Sequence, residues 1–508
     1  MSGVADALGA VQQRIAAASR RGERDQSCAP VLEALAAYWS SDPASFSIPA
    51  HKGGRSLDDE TLAILGDQPY RDDAPTHKGL DDRSDSYGIL SHAYDLAADA
   101  FAADEALIST NGTTLSVQTA VVAVTHPGQQ VAVARNVHKS VISGLILSGA
   151  EPVYVDPVYD EELALSHAVT PEALQATLEA HPDVQAMLAV SPMLTGVAAE
   201  VAALADVCHE HGIPLVTDDA WGADFHFHPE LPAGSMESGA DLAVMSFHKS
   251  LTGLMQTSVI LVQGDRIDRE RLQLAFDGFE TTSTSALLIA SVDAARRAMA
   301  THGEELLGRA LAISRDAGMR IDEIDGIRLL GPVLDGRPGV YGRDETKILL
   351  DVTGLGITGF QAADWLYEER RVAPEAHDMH HLTFILTVAD DQSVADRLVD
   401  AMRGLAEAAP ELADGDVPEL PAVSGLVGDY VMPPREAYLG KTRRVALGDA
   451  AGAIAAEPVS PYPPGVPLLV PGQRVHEGHI EFLRTGLAAG MVIKGASDPS
   501  LEELRVVA

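Results

Sequence analysis

Cysteine is nearly missing: Cys28 and Cys208 are the only two in 508 residues. Two distant thiols build neither a disulfide framework nor a thiolate metal cluster, and their scarcity fits a reducing, intracellular compartment. Long apolar runs are missing as well. None approaches the ~20 residues that a membrane-crossing helix needs. The opening MSGVADALGAVQQRIAAASRRGERD also lacks the apolar stretch of a secretory leader. Positive charge is short. Lys and Arg number 36 against 74 Asp and Glu, a net charge of −38. Such a surface repels nucleic acid and anionic membranes. The composition therefore argues for a cytoplasmic protein that partners neither. Most of the carboxylates read as a solubilising surface. A salty cell interior, or weak attraction of a cationic substrate, is the other source of such a balance.

What is present is ample core material, with 46% hydrophobic residues and a mean hydropathy of +0.05. A chain this long divides into two or three domains. Residues 1–90 read as an amphipathic helical arm followed by loops rich in Gly, Pro, Asp and His. Residues 91–340 alternate short apolar strands (ALIST, VAVARN, EPVYVDP, AMLAVSPM, IPLVTDDA, DLAVMS, SVILVQG) with helical stretches. That alternation argues for an α/β domain with a largely parallel sheet, whose sites form where strands end. Residues 341–407 read as a smaller α+β unit, in which ETKILLDV and HLTFILTV flank the helix QAADWLYEER. An acidic, proline-containing linker is expected over 408–420, and a last unit over 420–508.

Four stretches carry possible chemistry at strand ends. Asp218 and Asp219 close the strand IPLVTDDA. Both can cap a turn, or one can hold a buried cation such as a protonated pyridine nitrogen, with Ala220 leaving room for a flat ring. Lys249, in SFHKS, also follows a strand. It is a surface group or, with a lowered pKa, a lysine that forms a Schiff base. Asp218 and Lys249 together suggest pyridoxal phosphate. NGTT, Asn111 to Thr114, opens a helix with a glycine and two hydroxyls. It suits a phosphate, or is an ordinary N-cap. In RNVHKS, His138 can stack on a ring or fill a loop, and Lys139 competes with Lys249 for the Schiff base.

Taken together with IPAHKGG, GLDD, SPMLTG, TTSTS, PPREAY and PYPPGVPLLVPG, these stretches resemble the ornithine/lysine/arginine decarboxylases. These are pyridoxal-phosphate enzymes of fold type I, and the likeness runs over nearly the whole chain. The resemblance implies a mostly parallel seven-stranded sheet with smaller α+β domains, in the short form that lacks the N-terminal wing. It implies that Lys249 holds pyridoxal 5'-phosphate and that His248 contacts the phosphate or reacting region. Asp218 would pair with the pyridine nitrogen, Ala220 lie under the ring and His138 stack over it. Asn111, Gly112, Thr113, Thr114, Ser191 and Ser246 would serve the phosphate side, and Trp221 would contact the ring. Thr282 would approach the phosphate of a neighbouring subunit, which implies a homodimer or a higher homo-oligomer.

The sequence also departs from the family pattern. Asp219 stands for a glutamate, Trp221 and Asp224 for histidines, Ala50-His51 for PGH, and Met193 for the threonine of SPT. The expected reaction is decarboxylation of arginine, lysine or ornithine, with Glu375 and Asp378 as candidate anions for the cationic side chain. No metal is implied. The alternatives are transamination, aldol cleavage or oxidation on the same scaffold, or a non-catalytic homologue that acts by binding.

Overall fold

The computed structural model describes residues 10–508 apart from 12, 16, 19, 41–45, 75–79, 82–87, 414, 416, 422–425, 427 and 463–464. Parts of the GLDD motif, of the linker and of the PYPPG run therefore lie outside the described residues.

Seven strands form the central sheet: β1 (Glu105–Ser109), β2 (Gln130–Ala134), β3 (Glu151–Val155), β4 (Met187–Val190), β5 (Leu215–Asp219), β6 (Leu242–Ser246) and β7 (Ser258–Val262), in the order β1-β7-β6-β5-β4-β2-β3. Neighbours from β3 to β6 are parallel, while β7 runs antiparallel to β6 and to β1. Every residue of β5, β6 and β7 is buried. That is why these strands read as continuous apolar runs rather than alternating ones: helices cover both faces. The helices Gly112–Val124 and Lys139–Ser148 pack closely, and a Cβ on Gly144 would meet Val121 at 2.8 Å.

Because β1, β2, β4, β5 and β6 point the same way, Ser109, Ala134, Val190, Asp219 and Ser246 all end at one edge. The loops carrying NGTT, RNVHKS, SPM, DDAW and FHKS leave from that edge. This matches the rule that open α/β sheets build sites beyond the carboxyl ends of their strands.

A second sheet of four antiparallel strands joins Arg328–Leu329, Lys347–Asp351, His381–Ile385 and Ala376–His377. It packs with helices Gly359–Arg370 and Gln392–Leu412 around Leu350, Leu366, Leu382 and Leu405. The C-terminal region pairs Thr442–Ala446 with Glu503–Val507 and Ser460–Tyr462 with Val492–Lys494. It encloses its own core of Leu469, Leu483, Leu504 and Val506.

Three readings change. The stretch 46–90 is not all loop: Asp58 caps a helix over Asp59–Leu65 by accepting the Thr61 N–H, and Gln68–Asp72 adds another turn. The long helical region after residue 286 is one helix of 37 residues, Ala286–Asp322. The expected linker at 408–420 begins as helix. Gln392–Leu412 continues through Pro410 because its apolar face, Leu398, Met402, Leu405 and Ala409, stays buried to the end. Among the described residues, no helix is long and apolar enough to cross a membrane.

The N-terminal arm is held by a buried ion pair. Arg296 on the long helix donates to Asp293, to the backbone carbonyls of Gln26 and Cys28 and to the Gln26 side chain. Asp293 in turn accepts the Val31 N–H at 2.8 Å, at the start of helix Pro30–Ser40. Arg296→Met would leave Asp293 buried without its cation, so it should destabilise the fold by about 3–5 kcal/mol. Urea denaturation against the parent chain measures this.

Candidate active site

The site grows from the end of β5. Asp218 is fully enclosed, and one carboxylate oxygen accepts the Ala220 N–H at 3.2 Å. Burial pushes its carboxyl up, and nearby Lys249 pulls it back down. Its neighbour Asp219 is pushed up to about 7, chiefly by burial. Ala220 is buried and small, which keeps the floor beside Asp218 flat.

Lys249 sits in the turn after β6. Its Nζ lies 4.1 Å from the centre of the Trp221 ring, a cation–π contact. Burial pushes this amine down, while Asp218 and then Glu375 pull it up. Lys249 is thus an amine short of solvent, with carboxylates on two sides. Lys139 begins a helix instead and is partly exposed.

His138 precedes that helix as its N-cap. Its Nδ1 accepts the Ser140 N–H at 3.3 Å and meets the Ser140 hydroxyl at 2.9 Å. Burial, and then the charges of Lys249 and Lys139, push its pKa down to about 4. The ring is therefore neutral, with Nδ1 as acceptor and the proton on Nε2. His248 is also pushed down, chiefly by burial, and its Nδ1 pairs with the Ser246 hydroxyl at 3.0 Å.

The NGTT turn leaves donors free at its helix start. Gly112 adopts φ +78°, which favours glycine, and its N–H donates to the Gln256 carbonyl at 2.8 Å. Asn111 gives the helix no side-chain cap, so first-turn N–H groups stay available. Thr113 Oγ1 is buried without a hydrogen-bond partner, and Thr114 is exposed beside it.

Two other predicted residues have structural partners. Ser191 accepts the Ala199 N–H on its hydroxyl at 3.1 Å, and its own N–H donates to the Asp218 carbonyl at 3.2 Å. Asp378 takes the N–H groups of His380 and His381 and pairs with the His381 ring at 3.0 Å. The other side of that ring bonds the Leu163 backbone. The cluster Asp378, His380 and His381 therefore spends its groups on one another. Glu375 differs. It is exposed at the rim, its carboxyl is pushed up by its surroundings and pulled down by Lys249, and no side-chain hydrogen bond ties it among the described residues. Thr282 is exposed on the loop that follows Glu280.

Two supports escaped sequence reasoning. Buried Glu280 binds the hydroxyls of Ser109 and Thr110, joining the TTSTS loop to the end of β1. Lys347, at the start of a small-sheet strand, forms a fully buried ion pair with Asp344 and donates to the Trp221 carbonyl at 3.3 Å. Buried Asp224 faces the same lysine and is pushed up to about 7, first by burial. The signal for Lys347 was a lone lysine opening an apolar strand, DETKILLD. A groove of 1060 Å³ between Phe225–Leu231 and Met299–Glu305 shares no residue with this constellation.

Residues 29–337 match the major domain of the Orn/Lys/Arg decarboxylases, and residues 424–490 match the C-terminal domain of the same family. The chain is 36% identical to the arginine decarboxylase of Bacillus subtilis over 487 residues, 94% of this chain and 97% of that one. It is 35% identical to the arginine decarboxylase of Halalkalibacterium halodurans, over the same shares. The chain belongs to the Orn/Lys/Arg decarboxylase family. Lysine decarboxylase A from Pseudomonas aeruginosa has the same fold, with a TM-score of 0.80, 21% identity, and coverage of 94% of this chain and 80% of that chain.

As a member of that family the chain is a decarboxylase that uses pyridoxal 5'-phosphate, and its residues fit the cofactor. The orphaned hydroxyl of Thr113 and the uncapped helix start suit the phosphate. Buried Asp218 suits a ring cation, Ala220 leaves space for the ring, and Lys249 is the amine within the field of Asp218.

Borohydride treatment of the holoenzyme, followed by peptide mapping, should find the cofactor fixed to Lys249; an adduct at Lys139 would reverse the assignment. The Asp378–His381 pair makes a second, independent prediction. His381 is held above its ordinary value, its burial outweighed by Asp378, so its contribution to stability is complete below about pH 6.5 and fades as pH rises. Asp378 is held down to about 2, chiefly by His381 working against burial, so its contribution fades as pH falls below about 4. Urea denaturation of the parent chain and Asp378→Asn should differ most between those limits, and less on either side.

Proposed function

We propose that the chain removes the α-carboxylate of a cationic L-amino acid, with arginine as the first candidate, and releases the corresponding amine and CO2. The observation that carries the substrate class is Glu375, an untied carboxylate within the field of Lys249. A cation in a closed site must meet an anion, and a carboxylate can pair a guanidinium through two hydrogen bonds. Similarity to arginine decarboxylases over most of both chains supports arginine ahead of lysine and ornithine.

The bound cofactor supplies the sink for the electron pair left when CO2 departs. Asp218 holds the proton on the ring nitrogen, and its burial keeps water from competing for it. His138 is neutral and stacks over the ring without adding charge. Thr113, Thr114 and the N–H groups of the 111–114 turn hold the phosphate, with Ser246 orienting His248 nearby. Trp221 confines Lys249, which would hold the cofactor and supply a proton to the α-carbon; its lowered basicity suits both tasks. Ser191 serves by steadying the backbone around Asp218, and Asp378 by fixing the turn at 378–381.

The active unit is a homodimer or a higher homo-oligomer, in which exposed Thr282 reaches the phosphate of the neighbouring subunit. The protein works in the cytoplasm and binds neither nucleic acid nor membrane. The division into 1–90, 91–340, 341–407 and 420–508 is supported by the separate apolar clusters of the small and C-terminal parts.

The test is a panel of arginine, lysine, ornithine and neutral amino acids, with products identified by mass. A cationic substrate should win. Glu375→Gln should raise its KM severalfold while changing a neutral analogue little, and the difference should shrink as salt is raised, because the carboxylate lies at the exposed rim. A neutral or acidic amino acid that wins by a wide margin, or a keto-acid product, would overturn the proposal.

A further inference from the structure

Gly465, in the run PYPPGVPLLVPG, has no role in the site as described, yet it lies against His138. Gly465 has φ +90°, and its N–H donates to the Pro461 carbonyl at 3.1 Å. A Cβ placed on Gly465 would stand 3.4 Å from His138 Cδ2 and 3.5 Å from His138 Nε2. Glycine is thus favoured twice here, by its backbone conformation and by the imidazole beside it. The opposite edge of that imidazole, Nδ1, is held by Ser140. The ring is gripped between a helix start in the large domain and a turn from the C-terminal region.

Arg135 fixes that turn. It lies three residues before His138 on the same loop and is buried. Its Nη1 donates to the Pro467 carbonyl at 2.7 Å and its Nη2 to the Leu468 carbonyl at 2.9 Å. Nη2 also reaches Gln473 Oε1 at 3.3 Å, and Nε donates to the Tyr430 hydroxyl at 2.8 Å. All four acceptors belong to the C-terminal region, and none is a carboxylate. The guanidinium lies 5.5 Å from the centre of the Tyr154 ring, which Tyr430 stacks on at 4.3 Å. A planar fork can serve these acceptors at once; a lysine cannot.

We propose that the C-terminal turn at Gly465 forms a wall of the active site, and that Arg135, by anchoring this turn at Pro467 and Leu468, is a positioning residue that sets the plane of His138. This rests on the reading given above that His138 faces the cofactor ring. The C-terminal region thereby acts on turnover without touching Lys249, since a ring misplaced by about 1 Å can cost up to a hundredfold in rate.

The variants are Arg135→Lys, the milder Tyr430→Phe, and Gly465→Ala, with His138→Phe as reference. In the cofactor-free enzyme, diethyl pyrocarbonate should acylate His138 several times faster in Arg135→Lys and Tyr430→Phe than in the parent, as read by peptide mass. In the holoenzyme, Arg135→Lys and Gly465→Ala should lower kcat roughly tenfold or more with KM little changed. Thermal melts report folding separately, and if Arg135→Lys does not fold, the other two variants decide. Parental His138 reactivity and kcat in folded variants, even with a lowered Tm, would make the contact merely structural and overturn the proposal. If His138→Phe lowers kcat and the others do not, the proposal fails and the reading of His138 stands. If His138→Phe leaves kcat unchanged, that reading fails and takes the proposal with it.

Discussion

A carboxylate shut inside the end of a buried strand is the constraint around which this molecule is arranged. Removing the Asp218 charge from water costs several kcal/mol unless a cation answers it. Lys249 answers only in part. Burial drives the aspartate up and the lysine down, and in each case it outweighs the attraction between them. Among the described residues no hydrogen bond or ion pair joins the two; the Trp221 ring lies against the amine, and the Ala220 N–H donates to the carboxylate. A cofactor with a cationic ring nitrogen and an aldehyde would give each of these groups a partner.

The sheet makes this arrangement possible, and it was legible in the sequence for the same reason. Strands buried on both faces leave continuous apolar runs, so β2, β4, β5, β6 and β7 stand out. The residues that end them, Asp218 and Ser246, and the turns beyond, with His138 and Lys249, follow at fixed offsets. Legibility ends where a residue acts across domains. Nothing near Lys347 announces that its amine reaches the Trp221 carbonyl, 126 positions away. Nothing near Arg135 announces partners some 300 positions on. Asp378 failed in another way. A carboxylate two residues before a histidine pair reads equally as substrate anion or turn cap, and only coordinates show its oxygens already taken. Glu375, three residues earlier and on the other side of the short strand Ala376–His377, is also a carboxylate but has no such partners among the described residues.

Charge scarcity sharpens the contrast among the buried cations. In a chain with 36 Lys and Arg against 74 acids, a cation placed inside is conspicuous. Arg296 fastens the N-terminal arm, Arg135 the C-terminal region, and Lys347 the small sheet. Each is bound by carbonyls, and Arg296 and Lys347 by a carboxylate as well. Such groups are inert, because any movement would break several charge-assisted bonds at once. They fasten the N-terminal arm to the long helix, the C-terminal region to the loop after β2, and the small sheet to the Trp221 turn.

Lys249 is the exception that these anchors surround. Among the described residues, no carbonyl or carboxylate holds its Nζ by a hydrogen bond; an indole face lies under it, and two carboxylates act on it only through their fields. An amine so placed has lost part of its hydration without gaining a fixed partner. It is less basic than a surface lysine and more ready to attack a carbonyl. A lysine locked to Asp218 would be stable and useless, and one in open water would stay protonated. A Lys249 that is only partly exposed and not bonded to Asp218 avoids both outcomes, and the neutral imidazole of His138 adds no charge that would upset the balance. The reactivity of the amine thus depends on more than its own loop, since the backbone of Trp221, whose ring it faces, is held by Lys347 of the small sheet.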